Sequence, residues 1–334
     1  MDLQFHSGSV AYPIHIGQGI LSHAGSVFAL DRKVLIITDN GVPPQYARAV
    51  LSSCPQGSIY TIEEGESHKS LACVEGILNN LLSKGFTRSD AIVAVGGGMV
   101  GDVAGFAAAC YQRGIDWYNV PTTLLSQADS CVGGKTGVNL GGVKNAVGAF
   151  HQPKGVLVDT DTLATLSPRL LSEGMAEVIK MAATSDADLF RMIENGGYSL
   201  PELVSRAILI KVDVVQRDPK EKGERAVLNF GHTVGHAIEA AGKGEFYHGE
   251  AVAAGMMYFS TGEATTRIEA LLHKFNLPVS DPFPADTLMR FAASDKKKSA
   301  VGFKTVWVDR IGSYSFRQLS EDELRSVIEN HKQQ

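Results

Sequence analysis

No cysteine in this chain stands in a CxxC pair. The four present, Cys54, Cys73, Cys110 and Cys131, sit in or beside apolar segments and read as reduced, partly buried thiols of a cytoplasm-like compartment. The N-terminal stretch MDLQFHSGSVAYPIHIG lacks a basic region followed by a long apolar run, so no secretory signal is read there. No segment approaches the ~20 apolar residues of a membrane span. No basic stripe dominates the net charge of −5, which argues against a nucleic-acid partner. Internal repeats and low-complexity tracts are missing as well. HTVGH (His232 to His236) lacks the glutamate of HExxH, which removes metalloprotease chemistry. What remains is a cytoplasmic globular chain without membrane or nucleic-acid partners.

A chain of 334 residues is long for one hydrophobic core, so two domains are expected. Its first part alternates strand-like and helix-like runs. KVLIITD (Lys33 to Asp39), GSIYTIEEG, DAIVAVGGG (Asp90 to Gly98), IDWYNVPTT and GVLVDT (Gly155 to Thr160) read as strands. LACVEGILNNLLSKG (Leu71 to Gly85) is helical and closes on a glycine. Such alternation predicts an α/β domain with a parallel, doubly wound sheet over residues 1–160. From 161 to 334 the segments read helical. Ser167-Pro168 opens the first helix as an N-cap with proline in the first turn. Clefts between halves of this kind commonly bind ligands.

Three stretches can carry anion chemistry. Gly96, Gly98 and Gly101 satisfy GxGxxG after a strand and before a helix, where glycines let backbone approach a pyrophosphate. The match is not in the first strand–helix unit, and Asp102 follows at once. A candidate ribose-binding acid ends an earlier strand, at Asp39. The bland reading is a tight turn. Next, VPTTLLSQADSCVGGKTGVNLGGVKNAVGAFHQP sets Asp129, Lys135, Lys144 and Asn145 among glycines, a composition that suits phosphate or carboxylate. Last, the lysine run at 296–298 reads as a solvated loop or one that closes over an anion.

Glu177 and Lys180 in SEGMAEVIKMAA are spaced i,i+3, either a helical ion pair or a pair aimed into a cleft. Further on, Lys211, Glu221, Arg225, Asn229, His232 and His236 crowd together beside an apolar stretch. NFGHTVGHAIEAAGKGEFYHGE holds three of the ten histidines, His232, His236 and His248. Three within seventeen residues suggest metal chemistry. Spacing alone makes His232 and His236 the natural pair, since i and i+4 share a helix face. It leaves open which of the three are ligands.

Taken in order, GGGMVGDVAGFAAACYQRG, VPTTLLSQADSCVGGKTGVN, GVKNAVGAFHQP, AEVIK, NFGHTVGHAIE, HGEAVAAGM and DKK resemble the 3-dehydroquinate synthases over nearly the whole chain. That resemblance implies a Rossmann-like NAD domain, then a mainly helical metal- and substrate-binding domain, in a homodimer. It implies NAD and one divalent metal, zinc foremost and cobalt as an alternative. The implied substrate is 3-deoxy-D-arabino-heptulosonate 7-phosphate. The implied course is transient oxidation, β-elimination of phosphate, reduction, ring opening and intramolecular aldol closure, on the shikimate route to chorismate and the aromatic amino acids.

By the same resemblance the metal ligands are Glu177, His232 and His248. The catalytic group is Asp129, Lys135, Glu221 and His236. Substrate contacts are Arg113, Asp129, Lys135, Asn145, Lys180, Lys211, Arg225, Asn229, His236 and Lys297, with Arg113 reaching across from the other subunit. The NAD contacts are Asp39, Glu66, Lys69, Gly97, Gly98, Asp102, Thr122, Thr123 and Lys144. Two positions depart from the family pattern: Pro219 replaces a common acidic residue, and His151 replaces a tyrosine. Two rivals share the scaffold. Another sugar-phosphate cyclase would change the substrate contacts, whereas Asn145, Asn229 and His236 keep the dehydroquinate synthase form. A dehydrogenase of the glycerol type would not need so many cations.

Overall fold

The computed structural model describes residues 1–333 apart from 9, 222, 295–297, 300 and 301. The chain divides into two compact units, Met1–Leu166 and Ser167–Gln334.

The first unit runs β1 (Asp2–Ser7), β2 (Val10–Gly17), α1 (Ala24–Val27), β3 (Lys33–Asp39), α2 (Pro44–Leu51), β4 (Gln56–Ile62), α3 (Leu71–Ser83), β5 (Ala91–Gly96), α4 (Gly98–Cys110), β6 (Asp116–Pro121), β7 (Lys135–Leu140), β8 (Val143–Phe150) and β9 (Val156–Asp159). Seven strands form one sheet in the order β1-β2-β9-β6-β5-β3-β4. Only the β1–β2 pairing is antiparallel.

Alternation along β3 explains why helices cover both faces. Leu35 and Ile37 pack with Val74, Ile77 and Leu81 of α3 and Val103 and Ala107 of α4. Val34 and Ile36 turn the other way, onto Ala24, Phe28, Ala47 and Val50. A strand buried on both faces must be continuously apolar, which is how VLII reads. The expected glycine closes α3, and the structure adds an N-cap at its start. Ser70 Oγ accepts from the Cys73 amide at 3.3 Å, and Gly85 takes φ +63° beyond the last turn.

Two features differ from the sequence reading. The glycine-rich stretch after Lys135 is a β7–β8 hairpin rather than a loop. Gly141 and Gly142, both at positive φ, make its turn. Gly137 faces Gly148 across it, where a Cβ on Gly148 would come within 2.1 Å of the Thr136 carbonyl. The glycines that let these strands approach also erase the alternation that would reveal them. In addition, the division falls after Leu166 rather than after residue 160. The turn Thr160–Thr165 stays with the first unit because Gln127 Nε2 donates to the Asp159 carbonyl and to Thr162 Oγ1, both at 3.0 Å.

The second unit contains α5 (Pro168–Ser185), α6 (Ala187–Asn195), α7 (Leu200–Arg217), α8 (His232–Gly242), α9 (His248–Met257), α10 (Gly262–Lys274), α11 (Ala285–Ser294), β10 (Lys298–Ser299), β11 (Gly302–Trp307), β12 (Ser315–Leu319) and α12 (Glu321–Lys332). The small antiparallel sheet β10-β11-β12 is missing from the sequence reading, because its strands are short and interrupted by charge. Ser167 caps α5 as expected, its Oγ accepting from the Leu170 amide.

Helices α8 and α9 meet through glycine. A Cβ on Gly255 would lie 2.0 Å from the Gly231 carbonyl oxygen and 2.8 Å from the Gly235 amide nitrogen. Gly231 itself sits at φ +77° just before α8. Gly255→Ala is therefore expected to destabilise the protein by about 3 kcal/mol, as overpacking against unyielding backbone does. Urea unfolding checks this, and an unchanged midpoint would contradict the close approach.

Candidate active site

Glu177, His232 and His248 each offer one ligand atom, and these atoms lie within 4.8 Å of one another. Three helices deliver them. Glu177 is in the middle of α5 and is 1% exposed; His232 is the first residue of α8, and His248 the first of α9. The start of α9 is fixed by Glu250, whose carboxylate accepts from the Tyr247 amide at 2.8 Å and pairs with Arg169. His232 Nε2 stands 3.7 Å and His248 Nε2 3.5 Å from Glu177 Oε1. In a tetrahedral site with arms of roughly 2.0–2.1 Å, neighbouring ligand atoms stand roughly 3.4 Å apart, so the three fit a divalent cation.

The electrostatics fit it too. Neither Glu177 oxygen accepts a well-formed hydrogen bond, although both are buried. Burial alone would raise this carboxyl. The Lys180 ammonium and His248 outweigh it and hold it at about 2, so it is ionised at neutral pH. Burial would likewise lower His248, but Glu177 and Glu239 push it up to about 10. This pocket favours positive charge between its carboxylates. His236, one turn along α8, has its ring centre 5.2 Å from that of His232 and 5.9 Å from that of His248. It lies outside the three-residue set.

Among the described residues of this unit, the buried charged side chains are Lys180, Lys211 and Arg225 beside Glu177 and His232. Lys180, Lys211 and Arg225 are groups of the type that binds carboxylate or phosphate. Arg225 follows the loop where Pro219 stands, and its Nη1 donates to the Pro219 carbonyl at 3.1 Å. Any residue at 219 offers that carbonyl, so this contact does not depend on the departure from the family pattern. Glu221, exposed at φ +55°, accepts from Asn229 Nδ2 at 3.3 Å. Lys297 lies outside the described residues.

In the first unit, β5 ends at Gly96 and α4 begins at Gly98, with Gly97 as N-cap. Side chains here would block the turn: a Cβ on Gly96 would come within 2.6 Å of Val100 Cγ2. Gly97, Gly98, Gly101, Asp102 and Lys135 line one pocket with Asn119 and Ser130. Beside it, Lys69 is 5% exposed and donates to Asp102 Oδ2 at 2.6 Å and to Asn145 Oδ1. Asn145 sits at φ +50°, its amide held by Asn139 Oδ1 at 2.8 Å, while Asn139 Nδ2 donates to Glu66 Oε1 at 2.8 Å. One polar chain thus joins Glu66, Asn145, Lys69 and Asp102. Asn139, which completes it, was not singled out in the sequence; its position in KTGVN was the available signal.

The remaining expected residues are dispersed. The Thr122 amide donates to the Gly96 carbonyl, and Thr123 packs beside Gly97. Asp129 is in the π-helical segment Ser126–Ser130. Asp39 ends β3 and accepts from the Gly41 and Val42 amides at 3.0 Å, while burial raises its carboxyl. Lys144 is exposed on β8, and Arg113 is exposed in a turn where Gln112, Arg113 and Gly114 all have positive φ. His151 Nε2 holds the Ile115 carbonyl at 3.0 Å.

Fold and site together define a member of the sugar-phosphate cyclase superfamily. A 2-deoxy-scyllo-inosose synthase complexed with carbaglucose-6-phosphate, NAD+ and Co2+ superposes with a TM-score of 0.89 at 27% identity, over 99% of this chain and 100% of that one. The 2-epi-5-epi-valiolone synthase of Streptomyces hygroscopicus subsp. jinggangensis 5008, with NAD+ and Zn2+ bound, gives 0.88 at 26% over 98% of each. Glycerol dehydrogenase from Schizosaccharomyces pombe, 15% identical over 99% of this chain and 92% of its own with a TM-score of 0.66, shares the fold alone.

Within that class, the 3-dehydroquinate synthase N-terminal model matches residues 59–173 and the C-terminal model residues 174–298. The 3-dehydroquinate synthase of Shewanella sp. (strain MR-4) is 41% identical over 98% of each chain. The chain belongs to the 3-dehydroquinate synthase family, and its activity is the enzymatic formation of 3-dehydroquinate. Among the described residues no helix is long and apolar enough to cross a membrane.

Proposed function

We propose that the protein converts 3-deoxy-D-arabino-heptulosonate 7-phosphate into 3-dehydroquinate and phosphate, as a cytoplasmic homodimer using NAD and one divalent metal, zinc or cobalt. The observation that carries the reading is the convergence of Glu177, His232 and His248 beside the buried Lys180. Relatives of similar fold bound to NAD+ with Co2+ or Zn2+ support the choice of cofactors.

Glu177, His232 and His248 would hold the metal. Three protein ligands leave positions for substrate oxygens. A metal held there would supply Lewis-acid polarisation of a substrate hydroxyl or ketone, and bound NAD would supply reversible hydride exchange. Lys180, Lys211 and Arg225 fix the substrate's anionic groups in the helical unit, with Asn229 and Glu221 ordering the nearby loop. Fixed cations hold the phosphate where it leaves, at no reorganisation cost. A ketone beside the reacting carbon acidifies its C–H, and a phosphate held there can take the proton itself. His236 and Glu221 are proposed to handle the remaining proton movements, with Asp129 and Lys135 the catalytic pair of the first unit.

The NAD contacts would be Gly97, Gly98, Thr122, Thr123, Lys69, Asp102, Glu66, Lys144 and Asp39. The first four border the β5–α4 turn, whose backbone amides suit a pyrophosphate. Asn145, tied to Lys69, would report to the substrate. Arg113 would act across the homodimer.

Chelator treatment followed by buffer exchange tests the metal requirement. Phosphate release from the heptulosonate phosphate is expected to fall below about a hundredth of its starting rate, roughly 3 kcal/mol, and to return with Zn2+ or Co2+. Full activity of protein shown by elemental analysis to be metal-free would overturn the reading.

A further inference from the structure

His232 and His248 present the same ring nitrogen to Glu177, and in each the other nitrogen is held. His232 Nδ1 stands 3.1 Å from the Phe230 carbonyl oxygen. His248 Nδ1 stands 3.2 Å from Glu239 Oε2. A carbonyl and a carboxylate are both acceptors, so each Nδ1–H is the donor and each Nε2 is the nitrogen left to face a cation. The partners differ in charge. A carbonyl only orients its ring, whereas a carboxylate also raises the basicity of the imidazole it holds.

Glu239 reaches this position through helix geometry. It lies seven residues after His232 and three after His236, which places all three along one side of α8. Its side chain is 14% exposed, shielded enough for the charge on His248 to be felt. His248, on the first residue of α9, depends on this neighbouring helix for the orientation of its ring. Residue spacing offered only a weak signal, since Glu239 sits in the histidine-bearing helix without a ligand's position.

We propose that Glu239 is a positioning residue for the metal centre. Its carboxylate holds Nδ1–H of His248, fixes the tautomer that leaves Nε2 free, and strengthens that nitrogen as a donor to a divalent cation. The inference rests on the proposed set of Glu177, His232 and His248, so it predicts changes in metal affinity rather than the loss of a ligand.

The test uses the full-length protein, stripped of metal and titrated with Zn2+ against a chromophoric chelator and with Co2+ by its visible spectrum. Glu239→Gln keeps a neutral acceptor for Nδ1–H; Glu239→Ala keeps none. Zn2+ affinity is expected to fall about tenfold in Glu239→Gln and about a hundredfold in Glu239→Ala. The Co2+ spectrum of Glu239→Gln should stay close to wild type, and that of Glu239→Ala should shift. Metal-free melting temperatures are expected to match across the three proteins, which separates an effect on the metal from one on folding. Wild-type affinity in both variants would overturn the inference, as would equal losses accompanied by equal losses of metal-free stability. A wild-type protein that binds neither ion would instead sink the metal reading on which the inference rests.

Discussion

Glu177→Ala is expected to abolish metal retention and reduce turnover by at least about 10³-fold, roughly 4 kcal/mol of lost transition-state stabilisation. The same change should lower stability, for a separate reason. Lys180 is 2% exposed and Glu177 is its ion-pair partner. Removing the carboxylate leaves a buried ammonium without this partner, which costs about 3–5 kcal/mol. Replacing both members, as in Glu177→Leu with Lys180→Met, removes both charges and is expected to restore most of that stability without restoring metal or activity. Denaturant unfolding, elemental analysis and steady-state rates separate the two effects. A single variant that keeps stoichiometric metal would show that Glu177 is not a ligand.

His236→Ala is expected to do the opposite: retain the metal and lose turnover. The residue stands one turn from His232 on α8, outside the three-ligand set. Alanine is the best helix former, so α8 should persist. Loss of a positioned proton-handling group commonly costs about 10²–10⁴-fold in rate. Metal content near one per chain with kcat reduced in that range is the expected outcome. Metal loss on His236→Ala would mean that the histidine roles are misassigned, with His236 replacing His232 or His248 as a ligand.

These contrasting outcomes show where the sequence was informative. Local chemistry was legible: the apolar run of β3, Gly85 at the end of α3, and Ser167-Pro168 opening α5 all reflect forces acting within a few residues. The β7–β8 hairpin was not, since its glycines serve backbone approach and leave no alternating pattern. In the site, spacing favoured His232 with His236. The ligand atoms that converge belong instead to His232, His248 and Glu177, because α8 and α9 close on one another at Gly231, Gly235 and Gly255 and α5 packs against α9. Such convergence is a tertiary fact that helical periodicity cannot encode. Only the likeness of whole motifs to a known family separated the two i,i+4 histidines beforehand. The buried cations Lys180, Lys211 and Arg225 illustrate the same limit, since in the sequence each could equally be a solvated surface charge.

The most direct measurement is a product balance. Purified protein with Zn2+ and substoichiometric NAD is incubated with 3-deoxy-D-arabino-heptulosonate 7-phosphate, while phosphate, 3-dehydroquinate and NADH are followed together. The expected result is one phosphate and one 3-dehydroquinate per substrate consumed, over many turnovers per NAD, without NADH accumulation. Phosphate release without the carbocycle, or NADH rising in step with substrate loss, would contradict the account.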